Sequence, residues 1–336
     1  MVGQFNNKGK YNMSHELTIQ ENGFVEMAFV GKTPWHGLGQ SLDKNASIEQ
    51  WQVSAGMNWT VEDFPVLYAV PVDGKLEHRC FDSKKVLYRS DTKEPLSVVS
   101  NRYKPVQPAE CLEFFRDLVQ ESGFRIHTAG TLRGGKQLWA LAETGRYGEV
   151  SKGDGVGAFL LLSTSCDRTL ATTARFTTVR VVCNNTLAMA ISVDDKHKVS
   201  FTHIQKFDHA EVKRRLGCSV KSFGAFLETA KFLQNQKITL NQAQLFLKNI
   251  LGPYLQTKED DFFVENNRAY KKILTLFNEE AKGIEFAGHT KWGLLNAVTE
   301  YCDHHNTSRN DDARLSSTWF GTGSKIKTNT FNMLLL

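Results

Sequence analysis

The spacing of apolar residues changes along this chain of 336 residues, and that change limits the fold more than any other feature. From Trp59 to about residue 182, apolar and polar residues alternate in segments such as HRCFDSKKVLYRS, which are separated by the turn sequences VDGK and SDTKEP. Alternation of this kind is typical of strands joined by hairpins. Beyond about residue 205, apolar residues recur every three or four positions, as in helices. The sequence therefore predicts an α+β fold: an antiparallel β-meander with a packed helix, followed by an α-helical C-terminal part.

Helix signals also occur inside the β-rich half. Ser47 and Gln50 have the spacing of a capping box, which predicts a short helix after Ser47. A longer helix is predicted to begin at Pro108, where a missing N–H costs nothing, and to end at Gly123. The segment VVCNNTLAMAI, residues 181–191, is interpreted as the start of a further helix.

These patterns divide the chain into four parts. The first 30 residues are polar and are expected to form a flexible arm. Residues 31–204 are predicted to form the β-rich α+β domain, residues 205–325 a helical domain, and residues 326–336 a C-terminal tail.

Composition excludes several classes of protein. Hydrophobic residues make up 41% and charged residues 23%, which are ordinary values for a globular protein. No apolar run reaches the roughly 20 residues that cross a bilayer, so no membrane association is expected. The six cysteines are widely spaced and no signal peptide is evident, which favours the cytoplasm. No phosphate loop or dinucleotide fingerprint is present, so no cofactor is predicted.

Three stretches of the β-rich half contain basic residues and no acidic ones. They lie between Glu94 and Glu110, between Glu121 and Glu143, and between Asp167 and Asp194. Arginine without a carboxylate partner is free to bind an external anion. The predicted nucleic-acid-binding residues in and beside these stretches are Arg102, Tyr103, Lys104, Arg133, Lys136, Trp139, Arg168, Arg175 and Arg180.

A meander would bring these stretches side by side. The basic side chains could then line a groove for a sugar–phosphate backbone, with Tyr103, Trp139 or Phe176 stacking on bases. The alternative is a solvated sheet face whose cations pair with acidic residues on other strands. The sequence leaves both interpretations open.

The turn Leu132-Arg133-Gly134-Gly135-Lys136 also has two interpretations. Glycines let backbone N–H groups approach a phosphate, and the flanking cations would add charge. A hairpin turn in any meander needs glycines as well.

Catalytic interpretations rest on a few scattered residues. A thiol nucleophile would be Cys166 or Cys183, with His36 or His127 as its base. The loop that contains Trp35 and His36 is either an exposed ligand site or an aromatic anchor for the N-terminal arm.

A metal site is a further hypothesis for the last predicted helix. Glu300, Asp303 and His304 project from one side of it and are the candidate ligands of a metal-dependent nuclease. The alternative is a structural role, since histidines at a helix C-terminus also suit the helix dipole.

A family resemblance is carried by TPWHGLGQ near the N-terminus, by TAGTLRGGKQLWALAE and TTVRVVCNNTLAMA in the β-rich half, and by TKWGLLNAVTEYCDHHN near the end. In these motifs the chain resembles the family called domain of unknown function 932, or phage/plasmid-like protein. The resemblance implies a setting in phages, conjugative plasmids and other bacterial mobile elements, often beside DNA-metabolism genes. It assigns no activity and no catalytic residue.

The leading hypothesis is a protein that binds single-stranded nucleic acid in recombination or annealing, with its helices assembling protomers into a homo-oligomer. Two alternatives remain open: the metal-dependent nuclease, and a counter-defence protein that binds a host protein.

Overall fold

The α+β prediction is confirmed by the computed structural model, which describes residues 17–31, 38–180, 186–188, 198–203, 222–254, 265–306, 317–319 and 321–336. Strands occupy the first part of the chain and helices dominate the second.

Among the described residues, the main sheet has eight strands and is antiparallel except where its first two strands pair in parallel. The spatial order is β10-β9-β8-β7-β6-β1-β2, and β11 pairs with β9 beside β10. The strands are β1 (Met27–Val30), β2 (Gln40–Leu42), β6 (Arg125–Leu132), β7 (Gln137–Glu149), β8 (Gly155–Ser165), β9 (Thr172–Arg180), β10 (Thr186–Ala188) and β11 (Lys198–Phe201).

A second, antiparallel sheet contains, in the part of the chain that the structure describes, the three strands β3 (Val61–Val72), β4 (Lys75–Arg89) and β5 (Pro95–Ser100), in that order. Strands β3 and β4 form one long hairpin with an irregularity between Pro65 and Leu67. Beyond it, residues 67–80 form a ribbon that we call the β-arm. The arm ends at Asp73 and Gly74, whose positive φ angles of 50° and 77° suit a tight hairpin turn.

The helices are α1 (Ile48–Ser54), α2 (Pro108–Ser122), α3 (Ser222–Asn235), α4 (Leu240–Leu251), α5 (Arg268–Thr275), α6 (Ile284–Ala287), α7 (Lys291–Glu300) and α8 (Thr322–Leu334). The capping box predicted for α1 is present: the Ser47 hydroxyl accepts from the Gln50 backbone N–H, and the Gln50 side-chain oxygen accepts from the Ser47 backbone N–H. Thr239 and Gln242 form the same box at α4.

One face of the main sheet packs against helices. Successive side chains of a strand point to opposite faces, so every second residue faces these helices. Leu138 and Ala140 of β7 face a core shared with helix residues such as Phe115 and Leu294. Helix α7 lies deepest, since every residue from Trp292 to Glu300 is buried. The domain boundary expected near residue 204 falls outside the described residues, and buried side chains from both sides of it contribute to this cluster.

The opposite face of the sheet has a smaller apolar cluster. Trp139 and Leu141 of β7 lie there with Phe159 of β8, covered by Leu17 and Trp319. Residues 17–30 were expected to belong to a flexible arm. In the structure they instead supply the buried Leu17 to this cluster and strand β1 to the main sheet.

Two further segments differ from the sequence prediction. Residues 186–188, interpreted as part of a helix, form strand β10, because Leu187 pairs with Thr178 at the edge of β9. Residues 326–336, predicted to be a tail, form most of α8, in which Ile326, Phe331 and Leu334 are buried. An apolar stripe of this spacing packs α8 against the core.

Candidate nucleic-acid interface

Two hairpin turns lie side by side at one end of the main sheet. One is the β6–β7 turn, residues 133–136, and the other is the β8–β9 connection, residues 166–171. The Cys166 backbone N–H donates to the Lys136 carbonyl at 2.7 Å, and the Gln137 side chain donates to the Thr169 hydroxyl at 3.0 Å. These bonds hold the two turns together.

The loop after β5 joins the same end of the sheet. The Tyr103 hydroxyl donates to the Ser165 carbonyl at 2.7 Å, and the Lys104 backbone N–H donates to the His203 carbonyl at 2.6 Å. The His203 ring stacks on Tyr103 with centroids 4.6 Å apart. Loop 101–104 is thereby fixed beside the two turns.

The side chains that these three segments present to solvent are strongly basic. Arg102, Lys104 and Arg168 are exposed, and Arg133 and Lys136 are partly exposed. We call these five residues the basic edge. Within the part of the chain that the structure describes, the side chains of Arg102, Lys104, Lys136 and Arg168 form no ion pair.

The neighbouring carboxylate does not neutralise this surface. Asp167 accepts hydrogen bonds from the backbone N–H of Thr169 at 3.0 Å and from its hydroxyl at 2.5 Å. Both bonds reach Oδ1, so Asp167 orders the β8–β9 connection, which turns tightly at Arg168 with φ of 66°, and its single negative charge offsets only part of the basic edge. The result is an exposed surface on which positive charge exceeds negative charge.

Packing explains the glycine at position 135 of the β6–β7 turn. At Gly135, with φ of 91°, a Cβ would come within 2.7 Å of the Trp59 ring and 3.1 Å of Nη1 of Arg89. Arg89 lies over Trp59 at 4.2 Å and forms a buried pair with Glu26, in which its two terminal nitrogens donate at 3.0 and 2.7 Å. Glycine thus lets the turn approach this cluster, and the flanking Arg133 and Lys136 remain at the surface.

The predicted stacking role of Tyr103 and Trp139 is wrong, because both rings are buried. Trp139 is only 1% exposed and meets Trp319 edge to face at 4.7 Å. Tyr103 is 6% exposed, and burial raises the pKa of its phenol. Phe176, the third suggested ring, is also buried. None of the three can meet a base without opening the core.

Arg175 also departs from the prediction of an exposed phosphate contact. It is largely buried on the sheet face that contains Trp139, and its guanidinium donates to the Trp319 carbonyl. Burial lowers the pKa of this side chain to about 10. Arg175 therefore belongs to the interior packing around Trp319.

Arg180 is not brought to the basic edge. It ends β9 opposite Val156, whereas β9 begins at Thr172 beside the β8–β9 connection. Eight residues of extended strand separate the two positions by roughly 26 Å. Arg180 lies at the opposite end of the sheet.

Phe81 is an aromatic residue that the sequence patterns do not single out. It is 48% exposed and lies in β4 just before Asp82, whose carbonyl accepts a hydrogen bond from the Asn101 side chain. The Asn101 backbone N–H also donates to the Ser83 carbonyl at 3.3 Å. The residues that follow Phe81 are therefore bonded to loop 101–104, which contains Arg102. The sequence marks it only as one of many strand aromatics.

The suggested metal ligands have structural partners. Glu300 is buried and accepts from the Lys282 backbone at 2.9 Å, and Asp303 forms a buried ion pair with Lys327 at 2.6 Å. His304 follows Asp303 in the helical turn after α7. Across the described ranges, no group of three or more His, Cys, Asp or Glu residues is arranged to hold a metal ion.

The suggested thiol chemistry finds no support in the described geometry. Cys166 is buried, and burial raises the pKa of its thiol to about 12. His127 lies near Leu141 along β7, whereas Cys166 follows Ser165, which pairs with Gln137. That offset corresponds to roughly 13 Å along the strand. Trp35, His36 and Cys183 lie outside the described residues.

Comparison with known proteins identifies one family. The family model described as Domain of unknown function (DUF932) matches residues 95–319, more than half of the chain. No curated protein and no solved structure matches. Among the helices that the structure describes, none has the length and apolar character needed to cross a bilayer.

Proposed function

Because this chain belongs to the DUF932 family, whose description names no activity, we propose its function from the surface itself: it binds single-stranded nucleic acid at the basic edge. One observation carries the proposal: three separate segments of the chain place their basic side chains at the same end of the sheet. These side chains are Arg102, Lys104, Arg133, Lys136 and Arg168.

The spread of the charges favours a polyanion as the ligand. The cations lie on three adjacent exposed turns, so they present a row of separate contacts. A phosphate backbone offers repeated charges to such a row, and its binding releases counterions. Guanidinium groups add forked hydrogen bonds to phosphate oxygens.

Phe81 supports single strands as the preferred form. Exposed aromatic rings stack on unpaired bases, and each such contact contributes about 1–3 kcal/mol. Phe81 takes the stacking role that the buried Tyr103 and Trp139 cannot perform. In duplex DNA the bases are already stacked on one another, so Phe81 would contribute less.

The family motifs support a biological setting for this activity. They suggest a protein of bacterial phages or plasmids that acts in the cytoplasm, where single strands arise during recombination and annealing. This setting belongs to the proposal.

The test is the binding of a fluorescently labelled 30-nucleotide single strand, followed by anisotropy. The double variant Arg102→Glu with Arg168→Glu should bind at least roughly tenfold more weakly than the parent, because two phosphate contacts become repulsive. Phe81→Ala should weaken single-strand binding and leave duplex binding nearly unchanged.

A matched control makes the same change in charge at the other end of the sheet. Lys152 is exposed in the β7–β8 turn and Arg180 ends β9, so Lys152→Glu with Arg180→Glu should retain near-parental affinity. Equal losses in the two double variants, or no loss at the basic edge, would refute the proposal.

A further inference from the structure

The β-arm projects from the molecule with little covering it. Every residue from position 73 to position 83 is exposed, and Leu67, Tyr68 and Leu76 have exposed fractions of 52%, 45% and 69%. A two-stranded ribbon is marginally stable by itself in water, and exposed apolar clusters mark interaction surfaces. The arm therefore has the properties of a binding element.

One edge of the arm is open for strand pairing. Strand β4 pairs with β3 along residues 75–80, but its pairing with β5 begins only at Lys84. Over the described part of the chain, the other edge of residues 75–80 meets no strand. Pro65 and Pro71 lie in β3 and cannot donate to a new strand, whereas β4 contains no proline. Strand β3 ends this sheet, so its outer edge is also unpaired among the described residues, but its prolines make the β4 edge the one suited to pairing.

The charges along this edge alternate in a self-complementary order. Lys75, Glu77 and Arg79 stand at every second position of β4 and alternate in sign, so they lie on one face of the strand. If a second β4 pairs antiparallel with the first about a two-fold axis at Leu76, Lys75 lies opposite Glu77 of the second copy. The two-fold axis repeats this facing pair, so Lys75 and Glu77 of both copies each meet a side chain of opposite charge.

We propose that two copies of this chain associate by antiparallel pairing of their β4 edges, centred on Leu76, to give a four-stranded ribbon. Such an isologous contact requires a surface that complements itself, and the alternating charges meet this requirement. The arm carries equal numbers of acidic and basic residues, so it offers no net attraction to a polyanion.

The apolar side chains of the ribbon reinforce the pairing. Leu67, Ala69 and Pro71 of β3 share a face with Leu76, which lies opposite Pro71 across the hairpin. Pairing at Leu76 joins the apolar stripes of both copies. The contact is small compared with the roughly 800 Å² that each partner buries in a standard interface. The dimer should accordingly be weak, with a dissociation constant in the micromolar range.

The first test measures molar mass by light scattering and sedimentation from about 1 to 200 µM, a range set by the expected micromolar affinity. Reducing agent keeps the exposed Cys80 from forming a disulfide. The parent should shift from monomer to dimer, and Leu76→Asp should remain monomeric. Val53→Asp is the matched control, since Val53 is 59% exposed on α1, away from the arm. It should dimerise like the parent.

The second test addresses the register. Lys75→Glu and Glu77→Lys should each weaken self-association roughly tenfold, because like charges then face each other twice. An equimolar mixture of the two single variants should form a heterodimer at least as tight as the parent, since every facing pair in it is opposite in charge.

Any of three results would overturn the proposal. The parent could stay monomeric up to 200 µM, Leu76→Asp could dimerise as strongly as the parent, or the two single charge variants could fail to associate when mixed. The proposal is independent of nucleic-acid binding, so failure at the basic edge would leave it intact.

Discussion

At Gly135 the backbone turns with φ of 91° directly against the Trp59 ring and the Arg89 guanidinium. Behind it, the buried pair of Arg89 and Glu26 is reinforced by the hydroxyl of Thr131, which donates to Glu26. A buried pair of this kind tolerates little movement, because each charge depends on the other for compensation. The turn that presents Arg133 and Lys136 therefore rests on a rigid support.

Gly135→Ala should destabilise the protein more than Gly134→Ala. Both variants put a Cβ on a left-handed backbone, which lowers the free energy of unfolding by about 1–2 kcal/mol. Only the Cβ at position 135 also meets neighbouring atoms, and this overpacking lowers it by about 1–3 kcal/mol more. Urea unfolding of the two variants measures the difference. Equal losses would mean that the turn is not packed against Trp59 as described.

Sequence patterns located the charged residues of the basic edge but could not assign their burial. Arg168 and Arg175 lie seven residues apart in one acid-free stretch, yet one is exposed in a turn and the other is largely buried beside Trp319. Which side of a strand faces solvent depends on what covers the sheet. For Trp139 that cover comes from Trp319, a residue 180 positions away in sequence.

Among the secondary-structure elements, those with strong local signals were predictable. The capping box at Ser47, the proline at the start of α2 and the hairpin turn of the β-arm all specify local backbone geometry, and the structure contains each of them. Strand β10 was missed because its three residues have no clear period of their own. It is the free edge of β9 that determines their conformation.

Helix α8 was missed although its apolar spacing was visible. Ile326, Thr330, Phe331 and Leu334 recur at helical intervals, and all four are buried.

Phe331→Ala tests the assignment of α8 to the core. The ring is 1% exposed and stacks on Phe226 with centroids 5.9 Å apart, so its loss should lower the free energy of unfolding by about 3–5 kcal/mol. Met333→Ala, at a side chain that is 36% exposed, should cost much less. Thermal and urea unfolding provide the measurement, and similar small losses for both variants would indicate a tail.

For the whole molecule, the register of the main sheet determines which cations meet. Successive antiparallel connections alternate between the two ends of a sheet, so the β6–β7 and β8–β9 turns share one end and the β7–β8 turn lies at the other. The sequence predicted that basic segments would lie side by side. It could not predict that Arg180 would be carried to the far end, because that depends on the length of β9.

The location of bound nucleic acid on the fold tests the central claim most directly. Ultraviolet cross-linking of the parent protein to a single-stranded oligonucleotide, followed by mass spectrometry of the labelled peptides, identifies the residues in contact. We predict cross-links in residues 81–84, 101–104, 133–136 and 166–171. Cross-links confined to residues 222–254 and 265–306, or to the opposite end of the sheet around Lys152, would contradict the account.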